Sequence, residues 1–166
     1  SILCNSFYSK ESIYKAFGKY PKLVYQGIDT KKFYKQIRVK KNKKNFITIG
    51  HLTPSKGHDF LIHSLSYVNQ SIRPTLTIIY NLENDGYKKE LTSLANEKKV
   101  NVIFLKSITD DELLNQYNKA YFVLCAARLE PAGLTPIEAM ACGTPTIAVA
   151  EAGLREKIKH NYNGIL

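Results

Sequence analysis

Six short apolar runs recur along this chain: Lys22–Tyr25, Phe46–Gly50, Thr75–Tyr80, Val100–Leu105, Tyr121–Cys125 and Thr146–Val149. They are rich in Ile, Val, Phe and Tyr, and most are nearly continuous rather than alternating. That is the pattern of strands buried on both faces. Helical spacing fills the gaps at Gly57–Val68, Gly86–Lys98, Asp110–Lys119 and Leu134–Cys142. Phe60, Leu61, Ser64, Leu65 and Val68 form one apolar stripe at that spacing. Thr109, Asp110 and Asp111 supply a cap and negative charge for the positive end of a helix. Strands that alternate with helices pair in parallel through right-handed crossovers. The expected class is α/β: a doubly wound, mostly parallel Rossmann-like sheet with helices on both faces.

A length of 166 residues with 44% hydrophobic content suits a single domain with a proper core. Met140 is the only methionine and the chain starts at Ser1, so a piece cut from a longer protein is expected. No basic segment followed by an apolar one opens the chain, so no signal peptide is visible. No apolar run approaches the ~20 residues that cross a bilayer. Cys4, Cys125 and Cys142 are odd in number and form no CxxC pair. They read as reduced, buried thiols, and the expected compartment is the cytoplasm.

The net charge of +10 is uneven. Lys31–Lys44, KKFYKQIRVKKNKK, holds eight basic residues and no acid, which leaves about +2 for the rest. Unbalanced like charges predict an extended, wet surface crossing outside any binding site. Contact with an anionic membrane is the functional alternative, at ~1 kcal/mol per nearby Lys or Arg, which would make the protein peripheral at a membrane surface. Nucleic acid is the weaker option, since no recognition motif accompanies the run.

Open parallel sheets bind ligands beyond the carboxyl ends of their strands. Two strand-to-helix connections fall there. The first is GHLTPSKG, Gly50–Gly57. It is not a P-loop, because Lys56 is followed by Gly57 and His58 rather than Ser or Thr, and no GxGxxG is present. A Lys just before a helix start can still meet a phosphate as a point charge, although a plain surface lysine has the same look. His58 and His63 lack HExxH spacing, and Asp110, Asp111 and Glu112 read as helix-start acids, so no metal site is expected.

The second connection is EPAGLTPIEAMACGTP, Glu130–Pro145. Pro131 keeps Glu130 extended, Gly133 permits close backbone approach, and Pro136 fits only the first turn of a helix. The helix therefore begins between Glu130 and Glu138, with free N–H groups ready for an anion. Two flanking carboxylates would repel an anion and suit hydroxyls on either side of it. Thr135-Pro136-Ile137-Glu138 also fits a capping box, and spacing alone leaves Glu138 open between the two roles.

EPAGLTPIEAMACGTPTIA resembles the E-x7-E signature of retaining glycosyltransferases of group 1 (family 4). ILCNSFYSKESI, VYQGIDTKKF, FITIGHLTPSKGHDFLIHSL, VIFLKSITDDELLNQY and AEAGLREKIKHNYNGIL resemble further segments of that family, in order. The resemblance implies one half of a GT-B fold: residues 1–166 as the C-terminal, nucleotide-sugar-binding domain. The N-terminal acceptor domain would be absent and the isolated fragment inactive. It implies transfer of a hexosyl group from a nucleotide-diphosphate sugar, without a cofactor or metal, in polysaccharide, glycolipid or glycoconjugate biosynthesis.

Carried over by position, Lys56 binds the donor diphosphate and Glu130 contacts hydroxyls of the transferred sugar. Gly133, Leu134 and Thr135 would meet the diphosphate through their backbone. By the same resemblance Glu138 would hold the ribose hydroxyls, and Lys106, Ser107 and Ile108 would contact the base. Three positions depart from the family pattern: His51 for Arg, Lys106 for Gly, and Ala132 for an aromatic residue. A neutral His51 donates one hydrogen bond and cannot fork onto a phosphate. A donor-binding module without transfer activity and a basic adaptor for anionic surfaces are the competing readings.

Overall fold

A computed structural model describes all residues, 1–166. Six strands form one all-parallel sheet: β3 (Asn42–Ile49), β4 (Thr75–Tyr80), β5 (Val102–Lys106), β6 (Ala120–Cys125), β7 (Thr146–Ala148) and β8 (Gly164–Ile165). Their order is β5-β4-β3-β6-β7-β8. The chain builds outward from β3 in one direction, then returns to β6 and builds outward in the other. This is the doubly wound topology, with the order reversing between β3 and β6.

Near-continuous apolar strands give each face of the sheet its own core. Leu76, Ile78, Tyr80 and Leu124 face α2 (His58–Ser66) and α3 (Tyr87–Glu97). Ile47, Ile79, Val123 and Cys125 face α4 (Asp110–Lys119) and α5 (Leu134–Ala141). Thr109 accepts from the Glu112 N–H, and the Glu112 carboxylate accepts from the Thr109 N–H, so α4 begins with a full capping box. The apolar stripe of α2 is rotated from its expected position. His58, Leu61, Ile62 and Leu65 are buried, while Phe60 is 54% exposed and Ser64 faces solvent.

A separate unit precedes this domain. β1 (Leu3–Cys4) and β2 (Lys22–Leu23) pair in parallel and are joined by α1 (Phe7–Phe17). The run at Lys22–Tyr25 thus belongs to a second, two-stranded sheet, and no residue of α1 is buried. The carboxylate of Glu156, the third residue of α6 (Leu154–Lys157), accepts from the N–H groups of Phe7 and Tyr8 at 2.8 and 2.9 Å. It also accepts from the Tyr25 hydroxyl at 2.9 Å, tying the small unit to the large one.

The basic run is more ordered than like-charge repulsion predicts. Phe33 is buried edge-on against Tyr117, with ring centroids 5.8 Å apart. Asn118 accepts from the Gln36 N–H at 2.7 Å and donates to the Tyr34 carbonyl at 3.0 Å. Lys41 donates to the Tyr117 carbonyl and the Thr144 hydroxyl. The last residues of the run, Asn42–Lys44, already belong to β3. Packing of Phe33 and four hydrogen bonds through the Asn118 and Lys41 side chains outweigh repulsion that water and salt screen.

Gly57 holds the two halves of the fold in register. It adopts φ 68°, and a Cβ added there would stand 2.4 Å from the Ala126 carbonyl oxygen. Both the left-handed backbone and the close approach to the end of β6 demand glycine. Gly57→Ala should lower the melting temperature by at least about 3 °C, since ~1 kcal/mol corresponds to ~2–4 °C at this size. Scanning calorimetry of the two proteins checks this, and equal melting temperatures would show that the loops part without cost.

Candidate functional site

Where β3 and β6 end side by side, their loops enclose a cavity of about 270 Å³. Gly50, His51 and Lys56 line it from the first loop, and Glu130, Gly133 and Thr135 from the second. A neighbouring cavity of about 230 Å³ shares Ile49, Gly50 and His51 and is walled by Tyr80, Asn81, Ile108 and Asp110. Together they fall in the ~300–1,000 Å³ range of ordinary small-molecule sites.

The first loop turns at Pro54–Lys56 and reverses at Gly57, which returns the Lys56 side chain across Gly50. His58 supports it from behind, its Nε2 donating to the His51 carbonyl at 3.0 Å. Burial pushes the His58 pKa below its usual value, so the ring is neutral at neutral pH. In the second loop, Gly133 takes φ 69° and caps α5, leaving the first N–H groups of the helix without side-chain partners from the helix itself.

Lys56 and this helix start converge on one carboxylate. Glu130 Oε2 accepts from Lys56 Nζ at 2.8 Å. Its Oε1 accepts from the N–H groups of Ala132 and Gly133, each at 3.4 Å. Burial raises the Glu130 pKa, but the hydrogen bond and charge of Lys56 and the two N–H groups outweigh it. The carboxyl therefore sits below its ordinary range. Of the two acids expected to flank an anion site, Glu130 is therefore held by groups that an anion would use, a lysine ammonium and two N–H groups at the entry to α5.

The other predicted residues divide. Leu134 also lines the first cavity, and Ile108 lines the second beside His51. Glu138 lines neither. It is not part of a capping box, because Gly133 rather than Thr135 is the cap, and its carboxylate accepts from the buried Tyr117 hydroxyl. Lys106 is exposed and turns to Glu83, 3.4 Å away, with its ammonium 5.9 Å from the Tyr80 ring centroid. Ser107 is exposed in the left-handed region and lines neither cavity.

Cys125, Ala126, Tyr80 and Asn81 also wall the cavities. All stand at or just past the carboxyl ends of strands, the signal by which they can be found. Leu154 carried no signal, because α6 has only four residues. Cys125 and Cys142 are free thiols that burial pushes up to about 12 and about 11. No cluster of three or more His, Cys, Asp or Glu side chains is placed to hold a metal ion.

Residues 29–166 match the family described as Glycosyl transferases group 1. The chain belongs to this family. An uncharacterized glycosyltransferase of Methanocaldococcus jannaschii is 32% identical over 133 residues, covering 80% of this chain and 34% of that protein. The mannosylfructose-phosphate synthase of Agrobacterium fabrum is 28% identical, covering 72% of this chain and 28% of its own length. Anabaena HepE, solved with UDP and glucose, superposes with a TM-score of 0.87 over 99% of this chain and 48% of its own, at 23% identity. The C-terminal domain of a group 1 glycosyl transferase of Francisella tularensis gives 0.69 at 25% identity, covering 84% of this chain and 79% of that one. The chain thus spans less than half of the full-length relatives, and the C-terminal half of a GT-B fold fits it.

The Lys56–Glu130 pair has a pH signature. Glu130 has a depressed folded pKa, so its contribution is complete above the unfolded value of ~4.3 and is lost as pH falls through the lower folded value. Lys56→Met should cost about 1 kcal/mol at neutral pH, and the gap to the parent should close in acid. Thermal melts across that window check it. A gap that does not depend on pH would mean that the pair adds no charge–charge stability.

Proposed function

We propose that this chain is the donor-binding domain of a retaining glycosyltransferase and takes a nucleotide-diphosphate sugar. The observation that carries the reading is the convergence of Lys56 and the α5 N-terminus on one carboxylate at the sheet's switch point. Groups that hold a carboxylate this way suit a phosphate better, since it offers more oxygens and more charge. The diphosphate would take these groups, and Glu130 would turn toward the hydroxyls of the sugar. The base would lie in the second cavity, near Ile108 and Tyr80. Glu138, three residues past Thr135 on the same helical face, would take the ribose hydroxyls, steadied by Tyr117.

In transfer, the bond between the sugar's anomeric carbon and the diphosphate oxygen breaks, and that oxygen keeps the electron pair. The acceptor oxygen forms the new bond on the same face of the sugar, and its proton passes to the departing diphosphate oxygen. Lys56 and the helix N-terminus stabilise the charge gathering on the leaving diphosphate, the role a metal fills in other transferases. Acceptor binding falls to a second domain, so these residues alone bind donor without transferring it.

Structural neighbours solved with UDP make it the first probe. Calorimetric titration with UDP, GDP and ADP should find one that binds, and Lys56→Met should weaken it at least ~10-fold, or ~1.4 kcal/mol. Glu130→Gln should bind the same diphosphate more tightly, because a neutral amide competes less for Lys56. If no nucleoside diphosphate binds, the donor-domain reading fails. His51→Arg should tighten binding further through a permanent, forked charge; unchanged affinity would place His51 away from the phosphates.

A further inference from the structure

All six strands of the large sheet run the same way, so the segments that precede them gather at the end opposite the cavities. Residues 35–44, 67–74, 98–101, 118–120 and 143–145 meet there, and none is Asp or Glu. Glu97, the nearest acid along the chain, closes α3 and is paired with Lys98 at 2.8 Å. Lys35, Arg38, Lys40, Lys43 and Lys44 are exposed on this end, joined by Lys99 from the loop after α3 and by Lys119, the last residue of α4. The segments are tied together: Lys41 to Thr144, and Arg73 to the carbonyls of Val68, Lys98 and Lys99. Three apolar side chains project among the cations: Ile37 is 93% exposed, Tyr67 90% and Ile72 68%.

Helix ends account for part of this charge. Several helices finish here, and Lys99 and Lys119 answer their negative ends. The five cations of the basic run belong to no helix, so that explanation does not reach them. An isolated solvated loop does not explain them either, because the run is tethered to the domain and continues into charges from other loops.

We propose that this end of the domain docks on an anionic phospholipid surface. Seven exposed cations without an opposing acid would each strengthen binding roughly fivefold near such a surface. Ile37 and Ile72, branched aliphatics standing free among lysines, suit the boundary between headgroups and acyl chains. A nucleic acid would satisfy the charge but leave these side chains in water. β3 separates this face from the cavities by about 25 Å, at ~3.3 Å per residue, so docking leaves the donor site open.

The test is co-sedimentation of this chain with phosphatidylcholine vesicles and with equimolar phosphatidylcholine and phosphatidylglycerol. Each is run at ~0.05 M and ~0.5 M salt, where screening differs several-fold in range. Binding should require the anionic lipid and fall at high salt. A variant with Lys35, Arg38, Lys40, Lys43 and Lys44 changed to Gln, keeping the tethered Lys41, should lose at least tenfold. Ile37→Ser, at an open surface position, should lose severalfold with an unchanged melting temperature. No binding to anionic vesicles overturns the proposal, as does binding that neither variant alters. So does tighter binding to a duplex oligonucleotide that Ile37→Ser leaves unchanged, which would assign the face to nucleic acid.

Discussion

The reversal of strand order between β3 and β6 is the constraint on which the rest depends. Because the chain leaves these two strands toward opposite faces, nothing covers the space beyond their ends except their own loops. Each loop brings one half of a charge-complementary set. The first carries a lysine before a helix, and the second carries a carboxylate before another helix. Gly57 packs so closely on Ala126 that the loops cannot separate without moving the strands. The Lys56–Glu130 pair follows from that enforced proximity: two groups 74 residues apart in sequence meet because parallel strands deliver both to one edge.

Much of this was legible in the residues. Continuous apolar runs separated by helical spacing require a parallel sheet, and Thr109 with the acids after it marks the start of α4 at the residue where the helix begins. Pro131, Gly133 and Pro136 bracket the start of α5. What escaped was whatever depends on contacts distant in sequence. Lys22–Tyr25 has strand composition, but only tertiary pairing assigns it to a second sheet with β1. Spacing left Glu138 open between a cap and a hydroxyl-binding acid, because its partner in the fold, Tyr117, lies on another helix. Ile62 proved more central to α2 than Phe60, since the direction from which the sheet approaches is not written in the helix itself.

The same geometry divides the chemistry of the molecule between its two ends. At the carboxyl ends of the strands, helix N-termini and Lys56 create a small positive site answered by Glu130. At the amino ends, lysines gather with no acid among them, and side chains such as Ile37 stand free in water. Repulsion in the basic run is held in check by Phe33, Asn118 and Lys41, which spend their interactions on the domain while their neighbours stay exposed. One end encloses a cavity that pairs Lys56 with Glu130, and the other presents a broad surface of exposed cations.

The central claim is that Glu130 stands in the place of a diphosphate. The most direct measurement is the structure of this chain with a bound nucleoside diphosphate. The account predicts phosphate oxygens within hydrogen-bond distance of Lys56 Nζ and the Gly133 N–H, with the Glu130 carboxylate turned away from both. A diphosphate bound elsewhere, with the Lys56–Glu130 pair intact at its present 2.8 Å, would contradict it.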